Sequence, residues 1–319
     1  MGQFSHNDGL FWGLFSGLFS GLFSRKWMLS VVVALPVVSS VSRADTLYVT
    51  NYGAGTVSKV LSDGTTTTFA SGFTKPEGIV IDSSGNLYVA NQTTQVIDKV
   101  SPAGVVTPYV TIPINDALGG MAIDPAGDLY VALQGTGRVE EVTPSLSIST
   151  FASGLVNPQG LAFGNGTLYV ANNFGVVFAT NGGANPTTLT TAIQEPAGIT
   201  VSSNGTVYVS DSLNDVIDTL SPPISSSNVW GVTTYASLSY SPDGIAFGSN
   251  GDLFTGNYSG SPTGGSVYEI TPSKSVSTFG SGYAAPAFIA VQTGAPVPEP
   301  ASAGVILMAG GLLARRRKR

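Results

Sequence analysis

The sequence predicts an all-β fold built from one repeated unit of four antiparallel strands, and two observations lead to this prediction. The tripeptide LYV or a close variant occurs six times, beginning at Leu47, Leu87, Leu129, Leu168, Val207 and Leu253. The steps of 40, 42, 39, 39 and 46 residues are typical of a repeat protein. Only 10% of residues are charged and 40 are glycine, which favours turn-rich β structure over helices.

Each unit shows four strand patterns in a fixed order. The first is an apolar run after Pro-x-Gly, such as 79–81, which ends in a polar turn at 82–86. LYV belongs to the second strand, and runs such as 96–100 and 149–152 supply the third and fourth. Four antiparallel strands in about 40 residues describe one propeller blade, so residues 45–292 are predicted to form a six-bladed β-propeller.

The two ends of this domain are predicted to close the ring. Residues 286–291 repeat the pattern of a first strand, whereas Leu47 begins a second strand that has no first strand before it. Pairing of these N- and C-terminal strands completes a blade and removes the open sheet edges that promote aggregation.

Residues 1–44 have the pattern of an export segment. Arg25 and Lys26 precede an apolar run at 27–38. Ser42 and Ala44 place small residues at the −3 and −1 positions of a cleavage site that would leave Asp45 as the mature N-terminus. A threefold Gly-Leu-Phe-Ser at 13–24 is unusual in such a segment. It indicates either a start placed too early, with Met28 or another site nearer the true one, or a membrane-inserting extension.

A Pro-rich linker at 293–302 leads to an apolar and then basic tail at 303–319. The linker contains Val297, Pro298, Glu299 and Pro300, and the chain ends in Arg315, Arg316, Arg317, Lys318 and Arg319. The apolar stretch is shorter than the roughly 20 residues of a comfortable span, which favours transient anchoring with the basic cluster on the cytoplasmic side. An ordinary stop-transfer anchor is the alternative.

This ending resembles the PEP-CTERM sorting signal of exported bacterial proteins. The resemblance implies that an exosortase-type sorting enzyme recognises the tail and removes it. It also implies delivery to the cell surface or to an exopolysaccharide matrix after transient anchoring in the inner membrane.

Charge and residue types exclude several kinds of function for the propeller. Residues 45–299 carry 18 acidic and five basic side chains, and this negative charge repels the phosphates of nucleic acids. The chain has no cysteine, and its one histidine, His6, lies in the export segment. The propeller therefore has no imidazole or thiolate for acid-base or nucleophilic chemistry.

The repeats resemble NHL-type propellers and are similar to the virginiamycin B lyase and gluconolactonase-regucalcin group. The resemblance covers about 45–292 and is carried by Pro-x-Gly, the apolar run, the turn and Leu-Tyr-Val-Ala-Asn. Such a pattern specifies architecture rather than activity. The lyase depends on a histidine, which this propeller lacks.

Candidate site residues occupy the middle position of Pro-x-Gly. Glu77, Gln159 and Asp243 enter alternate blades, so a six-fold ring would place them about 120° apart around the channel. Two carboxylates and an amide oxygen suit a hard cation, so we predict a Ca²⁺ site with Glu77 and Asp243 as metal ligands. The gluconolactonase-like group also uses an axial metal held by acidic and amide side chains. The alternative is that all three are solvated residues at a channel mouth.

The other recurring polar and aromatic residues are interpreted as structural. Those in the turn after the first strand are predicted turn formers, namely Asp82, Asp124, Asn165 and Asn204. Those after LYV are predicted to form strand-end hydrogen bonds, namely Asn51, Asn91, Asn172, Asp211 and Asn257. The repeated tyrosines are expected to pack between blades, namely Tyr48, Tyr88, Tyr130, Tyr169 and Tyr208.

Three hypotheses of function follow from these features. The first is an exported, non-catalytic propeller that binds a surface polymer, peptide or protein and needs no cofactor. The second is a metal-dependent lactonase-like or lyase-like enzyme with an axial carboxylate site. The third is an inert structural component of the matrix.

Overall fold

A computed structural model describes residues 45–183, 186–223, 229–258 and 264–294. The predicted export segment at 1–44, the PEP motif at 297–300 and the tail at 303–319 lie outside the described residues. Within those ranges every regular element is a β-strand, and no described helix is long and apolar enough to cross a membrane.

The strands are short and follow the predicted order through each repeat. In chain order they are β1 (Thr46–Asn51), β2 (Thr56–Val60), β3 (Thr66–Ser71), β4 (Pro76–Ile81), β5 (Leu87–Asn91), β6 (Val96–Val100), β7 (Val106–Thr111), β8 (Leu118–Ile123), β9 (Leu129–Leu133), β10 (Arg138–Val142), β11 (Ile148–Ala152), β12 (Pro158–Gly164), β13 (Thr167–Asn172), β14 (Val176–Thr180), β15 (Thr187–Thr190), β16 (Pro196–Val201), β17 (Val207–Asp211), β18 (Val216–Ser221), β19 (Gly231–Ser237), β20 (Pro242–Phe247), β21 (Leu253–Asn257), β22 (Gly265–Ile270), β23 (Val276–Tyr283) and β24 (Pro286–Gln292).

These strands form six four-stranded antiparallel sheets, one per blade. Blade 1 has the order β24-β1-β2-β3, and blades 2 to 6 take four consecutive strands each, starting from β4, β8, β12, β16 and β20. In blade 1, Thr46 pairs with Gln292 and Val49 with Ile289. The six-bladed propeller and its closure by the N- and C-terminal strands are thereby confirmed.

The hydrophobic core is divided among the six interfaces between neighbouring blades. Each of six buried clusters combines residues from two adjacent blades, and one of them, which includes Leu47 and Phe254, joins blade 1 to blade 6. The repeated tyrosines lie in these clusters or pack against them, as predicted. Tyr48, for example, meets the edge of Phe69 with ring centroids 4.9 Å apart.

The inner strand of each blade lines the axis of the ring and runs from an upper face to a lower face. We define the upper face as the end where these strands begin, as at Pro76 of β4. The lower end of the axis is an apolar cavity of about 230 Å³ to which all six inner strands contribute. Both ends of the described domain lie at the lower face, where the Asp45 carboxylate accepts a hydrogen bond from the Gly294 N–H at 3.4 Å.

Candidate functional site

A β-bulge at the start of every inner strand sets the direction of the predicted site residues. In blade 2, Pro76 pairs with Asn91 and Ile79 with Val89, so Glu77 and Gly78 together oppose one residue. The same shift occurs in the other five blades. Because a bulge inserts a residue and re-aims a side chain, the middle residue of Pro-x-Gly turns towards the axis.

The structure brings the three predicted residues together in one place. Glu77, Gln159 and Asp243 line a cavity of about 360 Å³ at the upper end of the axis, with Ala197 and Ala287 at equivalent positions. We refer to this space as the axial cavity and to these five residues as its inner ring. Their shared location agrees with the predicted geometry, whereas their roles as ligands stay predictions.

A second ring of side chains, which the sequence analysis missed, lines the same cavity. Each blade contributes the residue that directly follows its second strand, and the six are Tyr52, Gln92, Gln134, Asn173, Ser212 and Tyr258. We refer to these six as the outer ring. In the sequence, each of these residues directly follows the nearly constant LYVAN, at a position that varies among the repeats.

Hydrogen bonds join the two rings around Glu77. Its two carboxylate oxygens accept from the side-chain amides of Gln92, at 2.6 Å, and Gln134, at 2.9 Å. The Gln134 amide also donates to Gln159 Oε1 at 2.8 Å, and the Tyr52 hydroxyl donates to Gln92 Oε1 at 2.7 Å. One side of the cavity is therefore a connected polar network that spans blades 1 to 4.

Asp243 faces the same cavity from blade 6 in a different environment. Within the described ranges, no residue donates a hydrogen bond to its carboxylate, while its main-chain carbonyl accepts from the Ser210 hydroxyl at 2.7 Å. Three carboxylates line the cavity, those of Glu77, Glu195 and Asp243, and none of the described lining residues is basic. The site is therefore rich in acceptors and has no internal counter-charge.

Burial and mutual repulsion shift the ionisation of the two inner carboxylates. Burial raises the pKa of Glu77 to about 8, and repulsion from Asp243 adds to the rise, while the hydrogen bonds from Gln92 and Gln134 oppose it. Burial raises the pKa of Asp243 to about 7. At neutral pH the pair therefore carries less than two full negative charges.

Two hydroxyl groups hold the backbone behind these carboxylates. Ser210 Oγ accepts from the Gly198 N–H at 2.7 Å and donates to the Asp243 carbonyl of the next blade. Thr50 Oγ1 accepts from the Phe288 N–H at 3.0 Å and donates to the Glu77 carbonyl at 2.8 Å. Each hydroxyl thus satisfies a bulged N–H and ties its blade to the acidic residue of the next blade.

Six of the remaining recurrent polar residues make structural hydrogen bonds, as predicted, namely Asn51, Asp82, Asn91, Asp124, Asn204 and Asp211. Asp82 accepts hydrogen bonds from the backbone N–H groups of Ser84 and Asn86 within its turn. Asn91 accepts from the Thr74 N–H and donates to Asp98, and Asp211 accepts from the Gln194 N–H. These residues shape the turns and strand ends around the axial cavity.

The donor set fits a hard metal ion only in part. No group of three or more His, Asp or Glu side chains in the described part of the chain is arranged to hold a metal. Gln159 Oε1, the amide oxygen expected to help Glu77 and Asp243, already accepts from Gln134. The predicted Ca²⁺ site would require this network to rearrange, and it stays a prediction.

Comparison with known proteins supports the fold. No family model and no curated protein matches the sequence. A streptogramin B lyase structure is 17% identical, with a TM-score of 0.59 over 78% of this chain and 86% of that one. A chain of the nidogen/laminin complex is 15% identical, with a TM-score of 0.66 over 77% and 98% of the two chains.

A third similar structure is a catalytically inactive variant of virginiamycin B lyase from Staphylococcus aureus with quinupristin. It is 18% identical, with a TM-score of 0.54 over 73% of this chain and 84% of that one. At these identities the likeness establishes a shared propeller fold and does not assign an activity.

Proposed function

We propose that this protein is an exported, surface- or matrix-sorted β-propeller that acts as a non-catalytic binding module through its axial cavity. The observation that carries this proposal is the pair of rings. The two rings combine tyrosine, glutamine, asparagine, serine and acidic side chains around one cavity, on a repeat whose scaffold positions vary little. Varied polar groups that converge on a concave site are typical of ligand recognition.

The available side chains favour binding over catalysis. The inactive lyase variant replaces a histidine by alanine, and residues 45–294 of this chain contain no histidine or cysteine. The nidogen/laminin structure, in contrast, is a complex between two proteins. A propeller that binds another molecule without transforming it agrees with the chemistry present here.

The positions of the chain ends also suit a tethered binding module. Asp45 and Gly294 lie at the lower face, whereas Glu77 and Asp243 lie at the upper end of the axis. A sorting segment that follows residue 294 and meets a membrane or matrix would leave the axial cavity facing outwards. Export, sorting by an exosortase-type enzyme and surface location are parts of this proposal.

A binding assay with a cavity variant tests the proposal. The purified protein is incubated with surface polysaccharide and with surface proteins from the producing cell, and a variant carrying Gln92→Ala and Gln159→Ala is compared with it. Exposed Thr67→Ala on outer strand β3 is the matched control. We expect the control to retain binding and the cavity variant to lose it; binding retained by both would place the site elsewhere. Absence of binding to any component would favour the inert structural role.

The Glu77 and Asp243 pair favours a second candidate, a metal-dependent lactonase-like or lyase-like enzyme. Two carboxylates facing one cavity would supply part of the set of six to eight oxygens that Ca²⁺ needs. We expect such a site to give Ca²⁺-dependent heat in calorimetry, abolished by Glu77→Ala with Asp243→Ala. Absence of metal-dependent heat in the unmutated protein would eliminate this candidate.

A further inference from the structure

Building on the proposed binding function, we propose that the axial cavity receives an ammonium group, presented by a lysine side chain of a partner protein. The lysine would enter between the tyrosines of the outer ring and the carboxylates of the inner ring. Apolar residues beside it in the partner would lie on exposed apolar side chains around the cavity mouth.

Aromatic rings and carboxylates lie side by side in the cavity. Tyr52 and Tyr258 meet edge to face, with ring centroids 5.8 Å apart at 69°, and both line the cavity with Glu77 and Asp243. Aromatic faces next to acidic groups attract organic cations through the ring quadrupole and through direct charge. The Nζ atom of Lys75 lies 5.4 Å from the Tyr52 ring centroid, so that ring already has an ammonium partner, whereas Tyr258, 44% exposed, has none among the described residues.

No basic side chain is among the described residues that line the cavity. Three carboxylates line it, those of Glu77, Glu195 and Asp243, and the other titratable groups facing them are the tyrosines at 52 and 258. The shifted pKa values of Glu77 and Asp243 mean that an incoming cation would favour their ionised forms and release protons. Anionic ligands such as phosphates or uronic acids would be repelled.

An ammonium group fits the existing hydrogen bonds better than Ca²⁺ does. A calcium ion needs six to eight oxygens, but both Glu77 oxygens and Gln159 Oε1 already accept from amide groups. The Asp243 carboxylate accepts no hydrogen bond within the described ranges. An ammonium group has three donors, and Asp243 with the remaining lone pairs of Glu77 can accept them without displacing the amides.

Exposed apolar residues in neighbouring upper-face loops favour a protein as the source of the ammonium group. Val156, Phe174 and Leu213 are 57%, 69% and 57% exposed, in upper-face loops of adjacent blades. The loops at 156–157 and 173–174 touch, since the Asn173 N–H donates to the Asn157 carbonyl at 3.2 Å. Val156 and Leu213 are aliphatic and would pack against apolar side chains of a peptide, which favours a peptide over an amino sugar.

Calorimetric titration with defined probes tests this inference. The probes are n-butylamine, the peptide acetyl-Leu-Lys-Leu-amide, the same peptide with its lysine Nε-acetylated, a glucosamine tetramer and Ca²⁺. We expect the lysine peptide to bind, acetylation to weaken it at least about tenfold because a charged hydrogen bond is lost, and Asp243→Asn to do the same. Proton release should appear as a binding enthalpy that depends on the ionisation enthalpy of the buffer.

Two further variants separate the parts of the site. Tyr258→Leu, at a side chain 44% exposed, should weaken butylamine about two- to fivefold through loss of a cation–π contact while leaving thermal unfolding unchanged. Phe174→Ser with Leu213→Ser should weaken the peptide but not butylamine. Equal binding of the acetylated and free peptides would overturn the ammonium assignment, and binding of the glucosamine tetramer without the peptide would overturn the protein partner.

Failure of this inference is distinguishable from failure of the proposed function. If no amine binds, yet a surface component still requires Gln92 and Gln159, the cavity is a binding site for another class of ligand. If surface components bind equally to the cavity variant, the proposed function itself is wrong.

Discussion

Alanine in place of Gly160 should destabilise the propeller by forcing two blades apart. A Cβ atom added there would lie 2.4 Å from the Ala197 carbonyl oxygen and 3.0 Å from the Ile199 N atom. Favourable contacts begin near about 3.5 Å, so the methyl group is about 1 Å too close to backbone atoms that cannot rotate away. Overpacking of this kind costs about 1–3 kcal/mol, and the rigid neighbours place this case in the upper part of that range.

Thermal and urea unfolding followed by circular dichroism measure this effect. At about 2–4 °C per kcal/mol for a domain of this size, Gly160→Ala should lower Tm by about 4–12 °C. Gly231→Ala is the matched control, because a methyl group there meets no atom within 4 Å on outer strand β19. It should change stability by less than about 0.5 kcal/mol. Equal stability of the two variants would refute the close packing of inner strands around the axis.

Four further outcomes are expected. The raised pKa of Glu77 means that the folded state holds its proton more tightly, so this group contributes stability that is full below about pH 4.5 and is lost as pH rises to about 8. Glu77→Gln should therefore flatten the pH dependence of the urea unfolding midpoint in that window. An unchanged slope would contradict a buried Glu77 carboxylate. Ser210→Ala should cost about 1–3 kcal/mol by leaving a buried N–H unpaired, and stability equal to wild type would exclude the bridge. Truncation after Gly282 removes β24 and should lower the unfolding temperature strongly; an unchanged temperature would contradict ring closure. Alanines at 298–300 should leave a membrane-retained form with its basic tail, and Arg319 detected by mass spectrometry in the exported wild-type protein would rule out tail removal.

The repeat made the fold and the inner ring predictable. Each Pro-x-Gly precedes LYV by nearly the same number of residues, so Glu77, Gln159 and Asp243 had to occupy equivalent places in their blades. Equivalent places on inner strands converge at the axis of a closed ring. Ring closure followed from a missing strand at one end of the domain and an extra strand at the other.

The outer ring and the hydrogen-bond network depend on contacts that a linear pattern does not contain. Gln92 and Gln134 belong to different blades, and their approach to Glu77 depends on the bulge, the blade spacing and the side-chain rotamers. Thr50 and Ser210 can be recognised in the sequence, because three other repeats have alanine at this position, as at Ala90. Positions that stay constant from repeat to repeat identify scaffold residues, whereas varied positions next to them identify candidate site residues.

The central claim is that a ligand occupies the axial cavity, and thiol protection tests it most directly. The chain has no cysteine, so Ala197→Cys introduces one thiol in the cavity lining and Thr67→Cys one on an exposed outer strand. The rate of labelling by a small thiol reagent is measured with and without the surface component that the protein binds. We predict that the bound component slows labelling of the thiol at 197 at least about tenfold, because only the unoccupied fraction, less than about 10%, stays reactive. The labelling rate of the thiol at 67 should not change. Labelling at 197 that is as fast with the component bound as without it would contradict the claim.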